Sequence, residues 1–395
     1  MSGASQEREH QSETGNIWVR RLTVSNYRNY SNAQLQASPG LNVLFGANGA
    51  GKTNLLEALS LLAPGQGLRR AAYDELARRS GAGGWTVSAE VVSQGETVRI
   101  GTGLLPAGTE GRARAGRLVS IDGERCGPTA LAELVEIVWL TPAMDGLFTG
   151  SASDRRRFLD RLILCFDPAI GTYASRFERA MRSRNRLLET GVRDDRQLAG
   201  LELQMAETGV AIAAARLEAV SALLHTINTR REQRPDSPFP WCDIVLQGGL
   251  EQDLAQRPAV DVEDDYAARL RSKRERDRAA GRTLEGPHRT DLCATHGPKA
   301  ISAASCSTGE QKSLLIGLIL AHAELLAGRR SGAPPILLLD EISAHLDALR
   351  REALYDEIIR IGAQAWMTGT DAEAFAGLQG RAAFLKVEEG RIEAQ

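Results

Sequence analysis

The sequence predicts an α/β fold, a sheet-and-helix unit interrupted by a long, mainly helical insertion that includes a short antiparallel helical arm. Three observations carry this. Residues 41–45 read as a short apolar strand, 46–51 as a glycine-rich loop, and 54–62 have helical apolar spacing. That is the strand–loop–helix order of a phosphate-binding loop. Residues 336–339 read as a buried strand of parallel type ending in Asp340 and Glu341, roughly 290 residues beyond Lys52, far more than a simple domain of that kind requires. Between the two, from Gly150 onward, the apolar spacing takes a helical period.

The elements follow in order. Residues 1–15 are polar and mixed in charge, are expected to be disordered, and lack the apolar run of a secretory signal. Residues 17–24 alternate as a strand does; 85–92 and 97–104 read as antiparallel strands joined at Gln94 and Gly95. Residues 106–116, rich in Gly, Ala and Arg, read as a mobile loop. Ser151 to Asp154 has the arrangement of a helix start, with Phe158, Leu159, Leu162, Ile163 and Phe166 on the buried side. A second helix spans 170–188 on a three–four spacing of Ile170, Tyr173, Phe177, Ala180 and Leu187 that Arg184 interrupts. After a turn at 191–195, a longer helix carries a heptad-like seam through Leu198, Leu201, Met205, Thr208, Ile212, Ala215 and Ala219. It reaches on the order of 50 Å, and Pro235, Pro238 and Pro240 end it. Residues 266–278 read as a short charged helix, and the first unit resumes near Ile301. The expected division is 16–135 for the N-terminal part of the P-loop lobe, 136–295 for the helical lobe with its arm at about 170–232, and 296–395 for the C-terminal part.

A chain of 395 residues with 43% hydrophobic and 25% charged content has room for two or three ordinary globular domains. A formal net charge of -2 argues against a globally basic nucleic-acid binder, though not against a local basic patch. Cys126, Cys165, Cys242, Cys293 and Cys306 are scattered, and no CxxC occurs. Neither a zinc site nor a disulfide framework is therefore expected, but reduced thiols and a cytoplasmic location. No uninterrupted apolar run approaches membrane-spanning length, so no membrane partner is expected.

Gly46, Ala47, Asn48, Gly49, Ala50, Gly51, Lys52 and Thr53 match GxxxxGK[ST] in full. The backbone N–H groups of such a loop cradle phosphate oxygens at a helix N-terminus, the Lys reaches the β- and γ-phosphates, and the Thr hydroxyl ligates Mg²⁺. The expected cofactors are thus ATP and Mg²⁺. The bland alternative, a glycine turn that matches by chance, is disfavoured by the flanking strand and helix. Asp340 is placed to hold the Mg²⁺ shell with Thr53, and Glu341 to polarise the attacking water, so Lys52 and Glu341 form the candidate catalytic pair. Ser307 with Glu310 three residues on is a capping box at the start of an apolar helix. Ser307 and the backbone at Gly309 present donors to an anion; the alternative is a well-capped core helix. Residues 343–347 read as opening another helix, and His345 alone reads as a surface residue rather than a catalyst.

With these motifs in place the chain resembles the RecF family of SMC/Rad50-like ABC ATPases. The order of the Ser307 loop and the Asp340–Glu341 strand is that of ABC-type ATPases, where the loop caps the γ-phosphate bound by a second subunit. Thr308 stands where such loops usually have Gly. Residues 22–30 are similar to the family's opening strand, 141–160 to its most characteristic internal block, Gly286, Pro287, His288, Arg289, Thr290 and Asp291 to a family turn, and 337–347 to its late segment. The resemblance spans about 17–371 and implies an ABC-type P-loop ATPase head. It further implies an ATP-induced homodimer that clamps DNA at single-strand gaps and on double strands, hydrolyses ATP slowly, and helps RecO and RecR load RecA. Two departures, no glutamine near 138–142 and no His after residues 365–367, turn against a transporter and toward slow hydrolysis. The shortness of the arm and the lack of a CxxC hook turn against a long coiled-coil ATPase. A nucleotide switch with negligible turnover stays open.

For DNA contact the candidates are Arg155, Arg156, Arg182, Arg184 and Arg274, drawn from three arginine-rich helical stretches that also include Arg157, Arg176, Arg179, Arg186, Arg269, Arg271, Lys273, Arg276 and Arg278. Such faces neutralise phosphates. Because Glu178, Glu275 and Asp277 interleave, solvated helical faces are the equal alternative. Scarce aromatics point to backbone contact rather than base stacking.

Overall fold

The structure is a computed structural model that describes residues 17–81, 83–106, 116–191, 194–329, 332–342 and 346–395. The expectations for residues 1–15, for 107–115 of the glycine-rich loop, and for Ser343, Ala344 and His345 lie outside the described residues. The chain divides into two compact units: Met1–Met144 with Asp236–Phe239 and Leu315–Gln395, and Asp145–Pro235 with Pro240–Leu314.

The first unit opens with strands β1 (Trp18–Tyr27), β2 (Tyr30–Gln36) and β3 (Leu41–Phe45), then helix α1 (Lys52–Ser60). Strands β4 (Trp85–Ser93), β5 (Glu96–Leu104), β6 (Leu118–Ile121) and β7 (Glu124–Cys126), helix α2 (Leu131–Leu134) and strand β8 (Ile137–Leu140) follow. An antiparallel sheet runs in the order β2-β1-β4-β5-β6-β7. The β4–β5 hairpin closes at Gln94 and Gly95 with φ of 52° and 83°, the positive pair that matches the natural strand twist. Along β4, Trp85, Val87, Ala89 and Val91 alternate into the core, as a sheet with one packed face requires.

The second unit contains α3 (Ala152–Leu164), α4 (Ala169–Thr190), α5 (Asp195–Gln233), β9 (Cys242–Gln247), α6 (Gly249–Leu254), α7 (Ala259–Ser272), α8 (Arg274–Ala279), β10 (Asp291–His296), β11 (Ile301–Ser302) and the first turns of α9 (Thr308–Arg329). The Ser151 capping box at α3 is complete, with Asp154 as its reciprocal partner. The expected 266–278 helix is two helices: Lys273, at φ −99° and ψ 10°, breaks α7 from α8. A three-stranded antiparallel sheet, β11-β10-β9, was not expected; its segments are short, and β11 has only two residues. Helix α5 is long and apolar enough to cross a membrane by length and composition alone, as a core helix can be, although charged residues interrupt its apolar runs. It packs instead on α4 and α7 through Met205, Ala206, Val210 and Ala213, and carries buried Glu202 and Arg216.

The chain returns to the first unit with β12 (Ile336–Leu339), α10 (Ala348–Ile361), β13 (Ala365–Gly369), β14 (Ala382–Glu388) and β15 (Arg391–Ala394). The second sheet is β15-β14-β3-β13-β12-β8, parallel except at β15. Every residue of β3, β12 and β13 is buried, the pattern of a parallel sheet covered on both faces. Strand β8 falls inside the 136–295 span expected for the helical lobe, yet it pairs with β12 from Ile137↔Ile336 to Leu140↔Leu339. That ladder moves the boundary to Met144, and the late boundary moves to Leu314. In register, Phe45 lies beside Gly369 and Leu339 beside Met367. The loops that leave β3, β12 and β13 therefore gather at the carboxyl edge, where open α/β sheets bind ligands.

Candidate functional site

Residue 46 must be Gly: its φ is 148°, and a Cβ there would collide with the Val387 carbonyl oxygen. Gly51, at φ 118°, leaves no room for a Cβ beside the Asn29 amide and the Tyr30 hydroxyl. The loop so shaped delivers Lys52 to the first position of α1. Its Nζ donates to the Gly46 carbonyl at 2.6 Å and the Ala47 carbonyl at 2.9 Å. Burial pushes the Lys52 ammonium down from its ordinary value, while the Glu341 and Asp340 carboxylates hold it up. These carbonyl contacts are neutral partners for a cation, and the ammonium can leave them for phosphate oxygens.

Thr53 Oγ1 donates to Asp340 Oδ1 at 2.9 Å. Thr368 Oγ1 donates to the same oxygen at 2.8 Å and accepts the Glu341 N–H at 2.8 Å. Glu341 itself sits at φ 50°, a left-handed conformation for a non-glycine residue, held by that bond to Thr368. A hydroxyl and a carboxylate meeting here are hard oxygen donors, the set that suits Mg²⁺. No group of three or more His, Cys, Asp or Glu able to hold a metal occurs among the described residues; Mg²⁺ is usually held by one or two carboxylates and substrate phosphates.

Asn29 and Thr368 are site residues that the motifs alone did not single out. Asn29 donates to the Ala50 carbonyl at 2.9 Å and accepts from Asn54 at 2.7 Å, tying the β1–β2 turn to the phosphate-binding loop. Beside it, Arg28 grips buried Glu57 of α1 with two bonds of 2.7 Å. The signal for Asn29 lay within the 22–30 stretch. For Thr368 the only signal was its place at the end of the strand adjoining β12.

The Ser307 loop belongs to the second unit. Glu310 Oε2 accepts from Ser307 N at 3.0 Å and from Ser307 Oγ at 2.9 Å, and Lys299 pairs with the same carboxylate. The Lys299 bond first, then the Ser307 bonds, hold the Glu310 carboxyl down at about 2. A Cβ at Gly309 would meet nothing, so its backbone is open to an incoming group despite Thr308 beside it. Lys312 is buried, with its Nζ 3.6 Å from Asp145.

The DNA candidates separate sharply. Arg184 is a correction: it is fully buried, donating to Glu202 at 3.1 Å, Asp277 at 2.7 Å, Thr283 at 3.0 Å and the Leu270 carbonyl at 2.7 Å. It binds α4 to α5, α7 and α8 and cannot reach DNA. Arg155 grips Asp291 with bonds of 2.7 and 2.8 Å, Arg156 donates to the Thr290 carbonyl at 2.6 Å, and Arg274 grips Glu202 at 2.8 and 2.6 Å. Each is engaged within the unit. Arg182 alone of the five is exposed without an acidic partner among the described residues.

The two sheets, the carboxyl-edge site and the Ser307 helix define an ABC-type ATPase fold of the SMC-head class. A family model described as RecF/RecN/SMC N terminal domain matches residues 18–391. The chain is 53% identical over 376 residues to a DNA replication and repair protein RecF of Mesorhizobium japonicum, covering 95% of this chain and 97% of that one. It is 51% identical to that of Brucella suis, covering 95% and 96%. The chain belongs to the RecF family. Among solved structures, the recombination mediator protein RecF-ATPrS in the RecFOR pathway superposes with a TM-score of 0.83 at 20% identity, covering 97% of this chain and 99% of that one. An SmcHead bound to the C-winged helix domain of ScpA gives 0.54 at 13% identity, covering 96% and 97%; both likenesses are of fold.

Proposed function

We propose that the chain is an ATP-dependent DNA clamp acting in replication and repair. Residues 46–53 hold ATP: the loop N–H groups take phosphate oxygens, and Lys52 exchanges the Gly46 and Ala47 carbonyls for the β- and γ-phosphates. Thr53 and Asp340 hold Mg²⁺, and Glu341 orients water. Bound Mg²⁺-ATP supplies the phosphoanhydride whose cleavage reopens the clamp. Ser307 and Gly309 of a second copy complete each site, which makes the dimer isologous. The single observation that carries this reading is the hydrogen-bond chain from Thr53 through Asp340 and Thr368 to the Glu341 N–H; it supports Thr53 and Asp340 as Mg²⁺ ligands and Glu341 as the acid that orients water.

DNA at single-strand gaps as the partner, with RecO and RecR as helpers in loading RecA, is supported by the family and by its relatives' description as DNA replication and repair proteins. One observation favours slow turnover, down to a nucleotide switch. Where a transporter-type loop has His, Thr370 and Asp371 form a closed turn, Thr370 Oγ1 to Asp371 Oδ2 at 3.0 Å and Ala374 N to Asp371 Oδ1 at 2.9 Å. The test is salt-resistant retention on gapped circular DNA with ATP. Lys52→Met is expected to lose ATP binding and retention together; retention equal to wild type would refute the clamp.

A further inference from the structure

We infer that one face of α4 is a contact for the phosphate backbone of duplex DNA that needs neither nucleotide nor a second copy, formed by Arg176, Arg179, Arg182 and Arg186. The inference rests on the DNA-binding part of the function proposed above, but assigns it a surface within a single protomer.

In the second unit, Arg155, Arg216, Arg257, Arg269, Arg274 and Arg278 each face a carboxylate at 3.0 Å or closer, and Arg184 is buried on two. Arg176, Arg179, Arg182 and Arg186 are exposed, and none has an acidic partner among the described residues. Arg196, Arg271 and Arg282 of the second unit are also exposed without an acidic partner among the described residues, but α4 carries four such cations on one face. With about 3.6 residues per turn, the four fall on an arc of roughly 120°. The other exposed residues of that arc are Thr172, Ser175, Ser183 and Thr190. Guanidinium and hydroxyl groups are the ones that contact phosphates. No acid enters the arc; Glu178 and Glu189 stand along one border.

A face meant only for water gains from opposite charges three or four residues apart, whereas like charges at that spacing repel. Arg176–Arg179, Arg179–Arg182 and Arg182–Arg186 are three successive like pairs, so the stripe costs helix stability until a polyanion neutralises it. The stripe extends about 15 Å along the helix. A duplex carries a charge about every 1.7 Å of its axis, so each guanidinium can meet a phosphate without base readout.

The test is equilibrium binding of a blunt duplex to the whole chain, without nucleotide, across a salt series. Replacing all four arginines by Gln is expected to flatten the slope of log K against log salt by about 3 to 4, near 0.9 per lost contact. Replacing all four by Lys is expected to preserve it. Arg179→Gln alone, lowering the slope by about 0.9, carries the test if the fourfold Gln variant loses its helical circular-dichroism signal. A slope unchanged by Gln, or flattened equally by Lys, overturns the stripe. Salt-resistant retention with ATP, measured on the same proteins, keeps the two readings apart. Retention intact beside an unchanged slope sinks the stripe alone. Retention absent in wild type beside a slope that responds sinks the clamp alone.

Discussion

The hydroxyl of Thr53 and the carboxylate of Asp340 meet at 2.9 Å across 287 positions of chain. The meeting is made by strand register rather than by local sequence. Strand β13 pairs in parallel with β3 on one side and β12 on the other, and Thr368 near its end bonds the same Asp340 oxygen. The second unit can be inserted between the two halves of the site because the sheet, not the connecting chain, holds them.

Thr368 is therefore a positioning residue. Thr368→Val keeps the shape but removes a donor to Asp340 and the acceptor for the Glu341 N–H. ATP turnover is expected to fall at least tenfold while nucleotide affinity changes less, and stability to drop by about 1–3 kcal/mol. Thr368→Ser should restore turnover. Steady-state kinetics beside denaturant unfolding checks both, and turnover equal to wild type in the Val variant would remove the role.

Gly46→Ala should abolish nucleotide binding without touching any polar group. The new methyl meets the Val387 carbonyl at a φ of 148° that Ala adopts at high cost. Titration with a fluorescent ATP analogue is the measurement, and wild-type affinity would contradict the close approach.

Arg184 and Arg182, two residues apart on α4, should respond oppositely. Arg184→Met leaves Glu202 and Asp277 buried beside a lost cation and is expected to cost about 3–5 kcal/mol. Arg182→Gln should stay within about 0.5 kcal/mol. Urea unfolding of both variants distinguishes the inward residue from the outward one.

Glu310 supplies a pH signature. Its carboxyl is lowered from 4.5 to about 2 by Lys299 and Ser307. A depressed carboxylate contributes stability that is present above the unfolded value and lost as pH falls through the folded one. The cap on α9 should thus weaken between pH 4.5 and about 2. A site-resolved carboxyl titration by NMR reads this directly, and Lys299→Ala should move the midpoint back up.

What was legible in the sequence was local. The Gly46–Thr53 motif, the Ser151 and Ser307 capping boxes, the Gln94–Gly95 turn and the apolar strand at β12 each carry their own chemistry within a few residues. Arg184 shows the limit. Helical spacing places it on the seam of α4 and its charge places it outside; the structure follows the spacing, because Glu202 and Asp277, remote in sequence, supply the buried counter-charges. The β9–β10 ladder and the place of Thr368 depend in the same way on pairings between distant segments, which no window of sequence contains.

The most direct measurement is sedimentation velocity of Glu341→Gln with and without Mg²⁺-ATP. A dimer that forms only with nucleotide, and reverts to monomer when Ser307→Arg is added, is the predicted result. A monomer under both conditions, or a dimer indifferent to Ser307, would contradict a nucleotide clamped between two copies.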